Sequence, residues 1–210
     1  MDLKNYLIKV IKKADGHSQD DILQVIKNEP SARFYVEASG FNKAFLNRCF
    51  NENNCRVAFS NDDSFDTESR LNFIDNCPVG RPKSDVFIYA REFDSDEVKK
   101  YLKRKCTVLI WNEDSGNISP FVIKSLANEF PDQVVVIAKG LTPFWVGNIL
   151  NKPTPLTLVF RKDDYTKEEI QTFADKGQNR VAILAEGFTA EELTNFRNAG
   201  ALIWPEVAGA

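Results

Sequence analysis

Most residues that could do chemistry in this chain stand where apolar runs end. These charged residues are Glu37, Asp62, Asp63, Arg91, Glu92, Asp94, Asp96, Glu113, Asp114, Lys139, Arg161, Lys162, Asp163, Asp164, Glu186 and Glu206. Carboxylates serve proton transfer and metal binding, and lysine or arginine neutralises anionic groups. If the apolar runs are strands of an open α/β sheet, ligands bind beyond their carboxyl ends. We therefore expect any ligand site to be built from these loops.

Several common catalytic motifs are missing from the sequence. No G-x-G-x-x-G follows an apolar run, and G-x-x-x-x-G-K-[ST] is absent, so neither common phosphate cradle is expected. The single histidine, His17, lies in a turn before the first of these runs, which leaves Ser–His and Cys–His mechanisms without a base. The cysteines are Cys49, Cys55, Cys77 and Cys106. They form no C-x-x-C pair, which argues against zinc and favours reduced, mostly buried thiols.

Composition describes a globular chain of 210 residues, 43% hydrophobic and 27% charged. The net charge of −3 argues against a nucleic-acid partner, because phosphate contacts need clustered Lys and Arg. The basic residues of 99–105 share a predicted helix with apolar residues, so we interpret them as a solvated face. No stretch approaches the roughly 18 apolar residues of a membrane span, and the N-terminus does not resemble a secretory signal. We expect a cytoplasmic protein without a membrane span.

Eight apolar runs alternate with helical segments. The predicted strands are 33–38, 56–60, 85–90, 107–112, 133–139, 156–160, 180–186 and 201–204. Most runs are continuous, as in parallel strands that are covered on both faces. Helix starts are marked by three capping boxes, at Asp94–Glu97, Thr166–Glu169 and Thr189–Glu192. Two further helices are predicted before the first strand, at 2–14 and 19–28.

The predicted fold class is α/β, with one or two doubly wound, mostly parallel sheets of Rossmann-like type. We expect an N-terminal helical segment over 1–30, an α/β unit over 31–151 and a smaller α/β unit over 152–210. The stretches 85–111 and 157–185 both run strand, acidic turn, capped helix, strand, which we interpret as the shared grammar of βαβ units. A closed eight-stranded barrel is disfavoured, because about 180 residues is short for one.

Scattered pieces of the chain resemble GT-B glycosyltransferases of the nucleotide-sugar type. FYVEASGFNKAFLNRCFNENNCRVAFS, with its Asn47-Arg48 pair, is similar to the opening of that family, and GFTAEELTNFRNAGALIWPE resembles its Gly-Phe…Glu-Leu…Pro-Ser region. SDVFIYARE and VLIWNEDSGNISPFVIKSL resemble intervening segments.

The resemblance implies a nucleotide sugar bound between two α/β units, without a cofactor. It implies that Lys139, Arg161 and Lys162 neutralise the diphosphate leaving group and that Glu206 contacts the ribose. Because the chain is short for two Rossmann domains, it further implies a reduced or inactive relative.

Two other hypotheses remain open. Glu37 followed later by Asp94 and Asp96 loosely resembles the Toprim pattern, which implies a magnesium ion and nucleic-acid chemistry. Alternatively, the chain is a non-catalytic interaction or structural protein of a larger assembly. The best candidate contact for a protein partner is then 141–145, Leu-Thr-Pro-Phe-Trp.

Overall fold

The computed structural model describes residues 7–60, 64–90, 93–111, 119–152 and 154–204. These residues form nine strands that alternate with eight α-helices. The strands are β1 (Leu7–Ile11), β2 (Ala32–Glu37), β3 (Cys55–Phe59), β4 (Val86–Ala90), β5 (Thr107–Trp111), β6 (Val134–Ile137), β7 (Leu156–Phe160), β8 (Val181–Leu184) and β9 (Leu202–Trp204). The helices are α1 (Gln19–Asn28), α2 (Lys43–Phe50), α3 (Thr67–Asp75), α4 (Ser95–Leu102), α5 (Pro120–Glu129), α6 (Pro143–Leu150), α7 (Lys167–Gly177) and α8 (Ala190–Asn198).

All nine strands belong to one parallel sheet, which confirms the predicted α/β class. Each strand pairs with its neighbour in the chain, in the order β1 to β9. Strands β6 and β7 lie on either side of the predicted boundary near 151–155. They pair directly, in the register Val134↔Leu156, so the sheet is continuous there. When strands follow chain order and every crossover is right-handed, the helices collect on one face of the sheet.

The two hydrophobic clusters separate the faces of the sheet. The larger cluster joins strand residues such as Phe34, Val57 and Ile88 to residues from all eight helices, and we call this side the helix face. The smaller cluster contains strand residues alone: Leu109, Val135, Ile137, Val159, Ala182 and Leu184, with Tyr89, Leu202 and Trp204 packed against them. We call this side the inner face. Its residues bury one another because the sheet curls into a half-barrel.

Each βα unit repeats one junction between strand and helix. The N-cap residues are Ser18, Asn42, Asp66, Asp94, Ser119, Thr142, Thr166 and Thr189. In every case the side chain accepts a hydrogen bond from the backbone N–H of the third helical residue. The caps recur roughly every 24 residues, within the range of stacked repeats. The strand–helix repeat shared by the stretches 85–111 and 157–185 therefore continues through the described part of the chain.

Of the two helices predicted at the N-terminus, one is confirmed. The helix predicted over 19–28 is confirmed as α1. The helix predicted over 2–14 is wrong for the described part, because Leu7–Ile11 form β1 and pair in parallel with β2. The run LIKVI satisfies helical and strand spacing alike, and its β-branched residues suit a strand once β2 offers a partner.

Candidate functional site

Two of the predicted ligand-binding cations hold the loops at the carboxyl edge together. Arg161 Nε lies 3.0 Å from Asp164 Oδ2, and the Asp164 side chain is 3% exposed. The ammonium of Lys162 donates to the carbonyl oxygen of Gly187 in the next loop and lies 5.8 Å from the centre of the Phe188 ring. The Arg161 contact lies within the loop that follows β7, and the Lys162 contact joins that loop to the loop that follows β8, so both residues stabilise the loops.

The ligand-binding role of these cations stays a prediction. Lys139 is half-buried directly after β6 and Ala138, at the same edge as Arg161 and Lys162. Glu206 lies outside the described residues. Lys139, Arg161 and Lys162 thus follow strand ends as predicted, and their role in binding a diphosphate stays a prediction.

The predicted magnesium ligands are not brought together as a site in the described part of the chain. Asp94 uses its carboxylate as the cap of α4, with Oδ1 accepting from the N–H groups of Asp96 at 2.9 Å and Glu97 at 2.8 Å. Glu37 ends β2, where burial raises the pKa of its carboxyl. Among the described residues, no group of three Asp, Glu, His or Cys side chains could hold a metal ion.

Three aromatic side chains form an exposed patch on the first turns of α5 and α6. We call Phe121, Phe144 and Trp145 the aromatic patch. Phe121 is 70% exposed and Phe144 is 72% exposed, whereas Trp145 is half-buried against the core. The Phe121 and Trp145 ring centroids are 4.9 Å apart, and those of Phe144 and Trp145 are 6.1 Å apart. The Phe121–Trp145 contact joins the two helices, so their N-termini lie side by side.

The aromatic patch breaks the pattern of the other units. The second helical position is exposed in all eight described helices, where it is occupied by Asp20, Ala44, Glu68, Asp96, Phe121, Phe144, Glu168 and Glu191. Acidic residues suit this position, because the N-terminus of a helix carries partial positive charge. In the adjacent units α5 and α6 the position holds phenylalanine, and their first turns contain no acidic residue.

A groove lies at the opposite, amino-terminal edge of the sheet. It has a volume of about 1010 Å³ on the inner face and is lined by residues in or just before strands β4 to β9, mostly at their starts, together with Tyr35 of β2. We call it the inner groove. Tyr35 of β2 and Trp204 of β9 both line it, so the curl of the sheet brings strands from near its two ends to one cavity. No sequence pattern marks this groove, because its lining comes from strand starts that lie far apart in the chain.

None of the described helices is long and apolar enough to cross a membrane.

Comparison with known proteins supports the architecture. A solved structure titled "Native KDPGal structure" is similar to this chain, with a TM-score of 0.52 and 11% sequence identity, over 93% of this chain and 96% of that one. At this identity the likeness concerns the fold alone. No protein-family model and no curated protein matches the chain.

The predicted kinship with GT-B glycosyltransferases is wrong, and so is the nucleotide-sugar function drawn from it. The similar solved structure aligns with 93% of this chain, and its fold is not that of GT-B glycosyltransferases. The pieces that resemble GT-B enzymes each consist of a strand, a capped turn and a helix, and this unit recurs throughout the described residues. The described strands form one continuous sheet instead of two sheets facing a cleft.

Proposed function

We propose that this chain is a non-catalytic protein-binding module that docks its partner through the aromatic patch. One observation carries the proposal: Phe121 and Phe144 are 70% and 72% exposed at a helical position that is acidic in five other helices. Burying such rings against a partner would stabilise a complex by roughly 25 cal/mol per Å² of apolar surface. Most of the surface of each ring is in water, so within the isolated chain the two rings contribute mainly through their contacts with Trp145.

The repeat architecture supports this function. Capped, stacked units of this kind present side chains at fixed spacing, and repeat proteins commonly use such surfaces for binding. The Phe121–Trp145 contact sets the distance between two neighbouring units at the surface. Aromatic residues are also enriched among the residues that contribute most to the free energy of protein association.

The patch also indicates the chemistry of the partner. Two adjacent helix N-termini with no acidic residue in their first turns leave partial positive charge beside the rings. An apolar pocket with an acidic rim complements this surface. Three side chains cover only a fraction of the ~800 Å² per partner of a standard interface, so we expect a transient contact unless flanking residues join it.

The proposed function needs no cofactor. We also propose a cytoplasmic location, which the cysteines support: all four are free, and Cys49, Cys55 and Cys106 are buried.

Photo-crosslinking in cells that express this protein tests the proposal. A photoreactive phenylalanine analogue replaces Phe144 in one chain and Glu168 in a control, since Glu168 is the exposed second residue of α7. We expect a discrete adduct with another protein from position 144 and none from position 168. Equal crosslinking at both positions would show that the patch has no special affinity. An adduct between two copies of this chain would identify self-association instead of a separate partner.

A further inference from the structure

The inner groove has the apolar floor of a ligand site. Tyr35 and Phe87 meet edge to face in it, with ring centroids 5.1 Å apart, and Trp204 is a further aromatic residue of its lining. Its volume of about 1010 Å³ lies at the upper end of the range for small-molecule sites. At the carboxyl end, the inner face is filled by buried side chains such as Ile137 and Leu184, so this open volume lies toward the amino edge.

The rim of the groove is positively charged. Three cations line it, namely Lys83, Lys105 and Arg180, against one acid, Asp132. Arg180 is committed to the protein, because its guanidinium donates to the carbonyl oxygens of Leu150 at 2.6 Å and Lys152 at 2.7 Å. Lys83 lies 3.5 Å from Asp75 in a partly exposed pair, which holds an ammonium weakly.

Lys105 is the cation best placed to meet a ligand. It is exposed, and within the described residues no ion pair engages it. It precedes Thr107, whose position in β5 is directly beside Phe87 of β4. Lys83 precedes the same β4 strand. The two ammonium groups therefore belong to neighbouring strand starts, next to the aromatic floor.

Backbone conformation supplies a second, independent observation. Lys105 has a φ of 65° and Asp132 a φ of 62°, in the left-handed region that favours glycine. Both stand two residues before a strand start, and in the last unit that place holds Gly200, with a φ of 94°. Lys105 and Asp132 line the inner groove, whereas Gln178, the third described non-glycine residue with a positive φ, does not. Strained residues are common at functional sites, so the strain at these two lining residues supports a role for the groove.

We propose that the inner groove binds an amphipathic organic anion, with its apolar body against Phe87 and Trp204 and its acid group at Lys83 and Lys105. Aromatic and apolar walls with a few placed charges are typical of such sites. The proposal concerns a different face of the molecule from the aromatic patch, and it stands or falls separately from protein docking.

Calorimetric titration with 2-naphthoate and its neutral analogue 2-naphthamide tests the proposal. We expect naphthoate to bind about tenfold more tightly than naphthamide, which corresponds to about 1.4 kcal/mol. Asp132→Asn should tighten naphthoate binding and leave naphthamide binding unchanged. Equal affinities for the two probes, or no heat from naphthoate at millimolar concentration, would overturn the proposal.

Two variants at one position separate binding from folding. Lys105→Gly removes the ammonium and relieves the left-handed backbone, so it should raise the melting temperature while weakening naphthoate binding several-fold. Lys105→Glu should weaken it further. The matched control is Lys100→Glu, an exposed residue of α4 that does not line the groove. Unchanged naphthoate affinity in both Lys105 variants would contradict the assignment of the acid group.

Discussion

Phe121 and Trp145 meet edge to face across two neighbouring helices, with ring centroids 4.9 Å apart and planes at 81°. Edge-to-face aromatic pairs contribute roughly 0.5–1.5 kcal/mol beyond the burial of their area. Here the contact joins two helix starts, while Phe121 remains 70% exposed. The same side chains thus position each other and remain available to a partner.

Replacing the exposed rings by acids should not damage the fold. We expect Phe121→Glu/Phe144→Glu to leave the free energy of unfolding nearly unchanged, because a carboxylate near each helix N-terminus contributes about 0.3–1 kcal/mol and offsets the roughly 0.5–1.5 kcal/mol of a lost aromatic contact. Urea denaturation measures the effect, and the matched control is Phe121→Gln/Phe144→Gln, which lacks the charge. A loss above about 2 kcal/mol in the acidic variant would show that the rings belong to the core.

Two helical glycines should respond to alanine in opposite directions. A Cβ on Gly177 would lie 2.4 Å from Val181 Cγ2 and 2.8 Å from Leu150 Cδ2, so Gly177→Ala should cost about 1–3 kcal/mol. A Cβ on Gly147 meets no atom within 4 Å, and Gly147→Ala should stabilise the protein by roughly 0.5–1 kcal/mol. Thermal unfolding compares the two. Equal shifts would contradict the packing of α7 against β8.

Glu37 should make stability depend on pH. Burial raises the pKa of its carboxyl, and the nearby charge of Lys12 opposes the rise. Folding therefore favours the protonated form, and that contribution to stability is present in acid and lost as pH rises through the folded pKa. Glu37→Gln mimics the protonated form and should raise the melting temperature at pH 7.

The gain from Glu37→Gln should vanish below about pH 4, where the wild-type carboxyl is protonated in the unfolded chain as well. Glu186→Gln is the control, because Glu186 is an exposed residue in the loop that follows β8. A gain that is the same at pH 3.5 and pH 7, or a loss at pH 7, would show that the Glu37 carboxylate is well accommodated.

The cysteines should differ sharply in reactivity. Burial raises the pKa of the Cys106 thiol to about 12, and it also raises the pKa of Cys77, which is half-buried. Since the thiolate is the reacting form, iodoacetamide at pH 8 should modify Cys77 slowly and leave the three buried thiols intact. All four should react in urea. Mass spectrometry that finds Cys106 alkylated as fast as Cys77 in the native protein would contradict this burial.

Local sequence patterns located most of the sheet, because the sheet is built from local units. The strand predicted at 156–160 is β7 without a change of boundary, and Asp94, Thr166 and Thr189 cap helices as their spacing indicates. A buried apolar run or an N-cap motif spans only a few consecutive residues, so each can be recognised without knowing the tertiary structure. The short run at Leu7–Ile11 was ambiguous because pairing with β2 decides it.

The aromatic patch and the inner groove depend on which βα units lie side by side in the fold. Local sequence patterns do not indicate this arrangement. In 141–145, Leu141 is buried and Phe144 is exposed, a difference set by the turn into α6. Phe121 joins them from another unit, 24 residues earlier than Trp145, once α5 and α6 lie side by side. The inner groove draws its lining from six strands and from the segments before strands β4 to β8, which only the curl of the sheet brings together.

The affinity of the crosslinked partner for three purified chains tests protein docking most directly. The chains are the wild type, Phe121→Glu/Phe144→Glu, and Glu168→Gln as the control at the equivalent position of α7. We predict that the double variant weakens binding at least tenfold, or about 1.4 kcal/mol, at nearly unchanged stability, while the control binds as the wild type does. Wild-type affinity in the double variant would contradict docking through the aromatic patch.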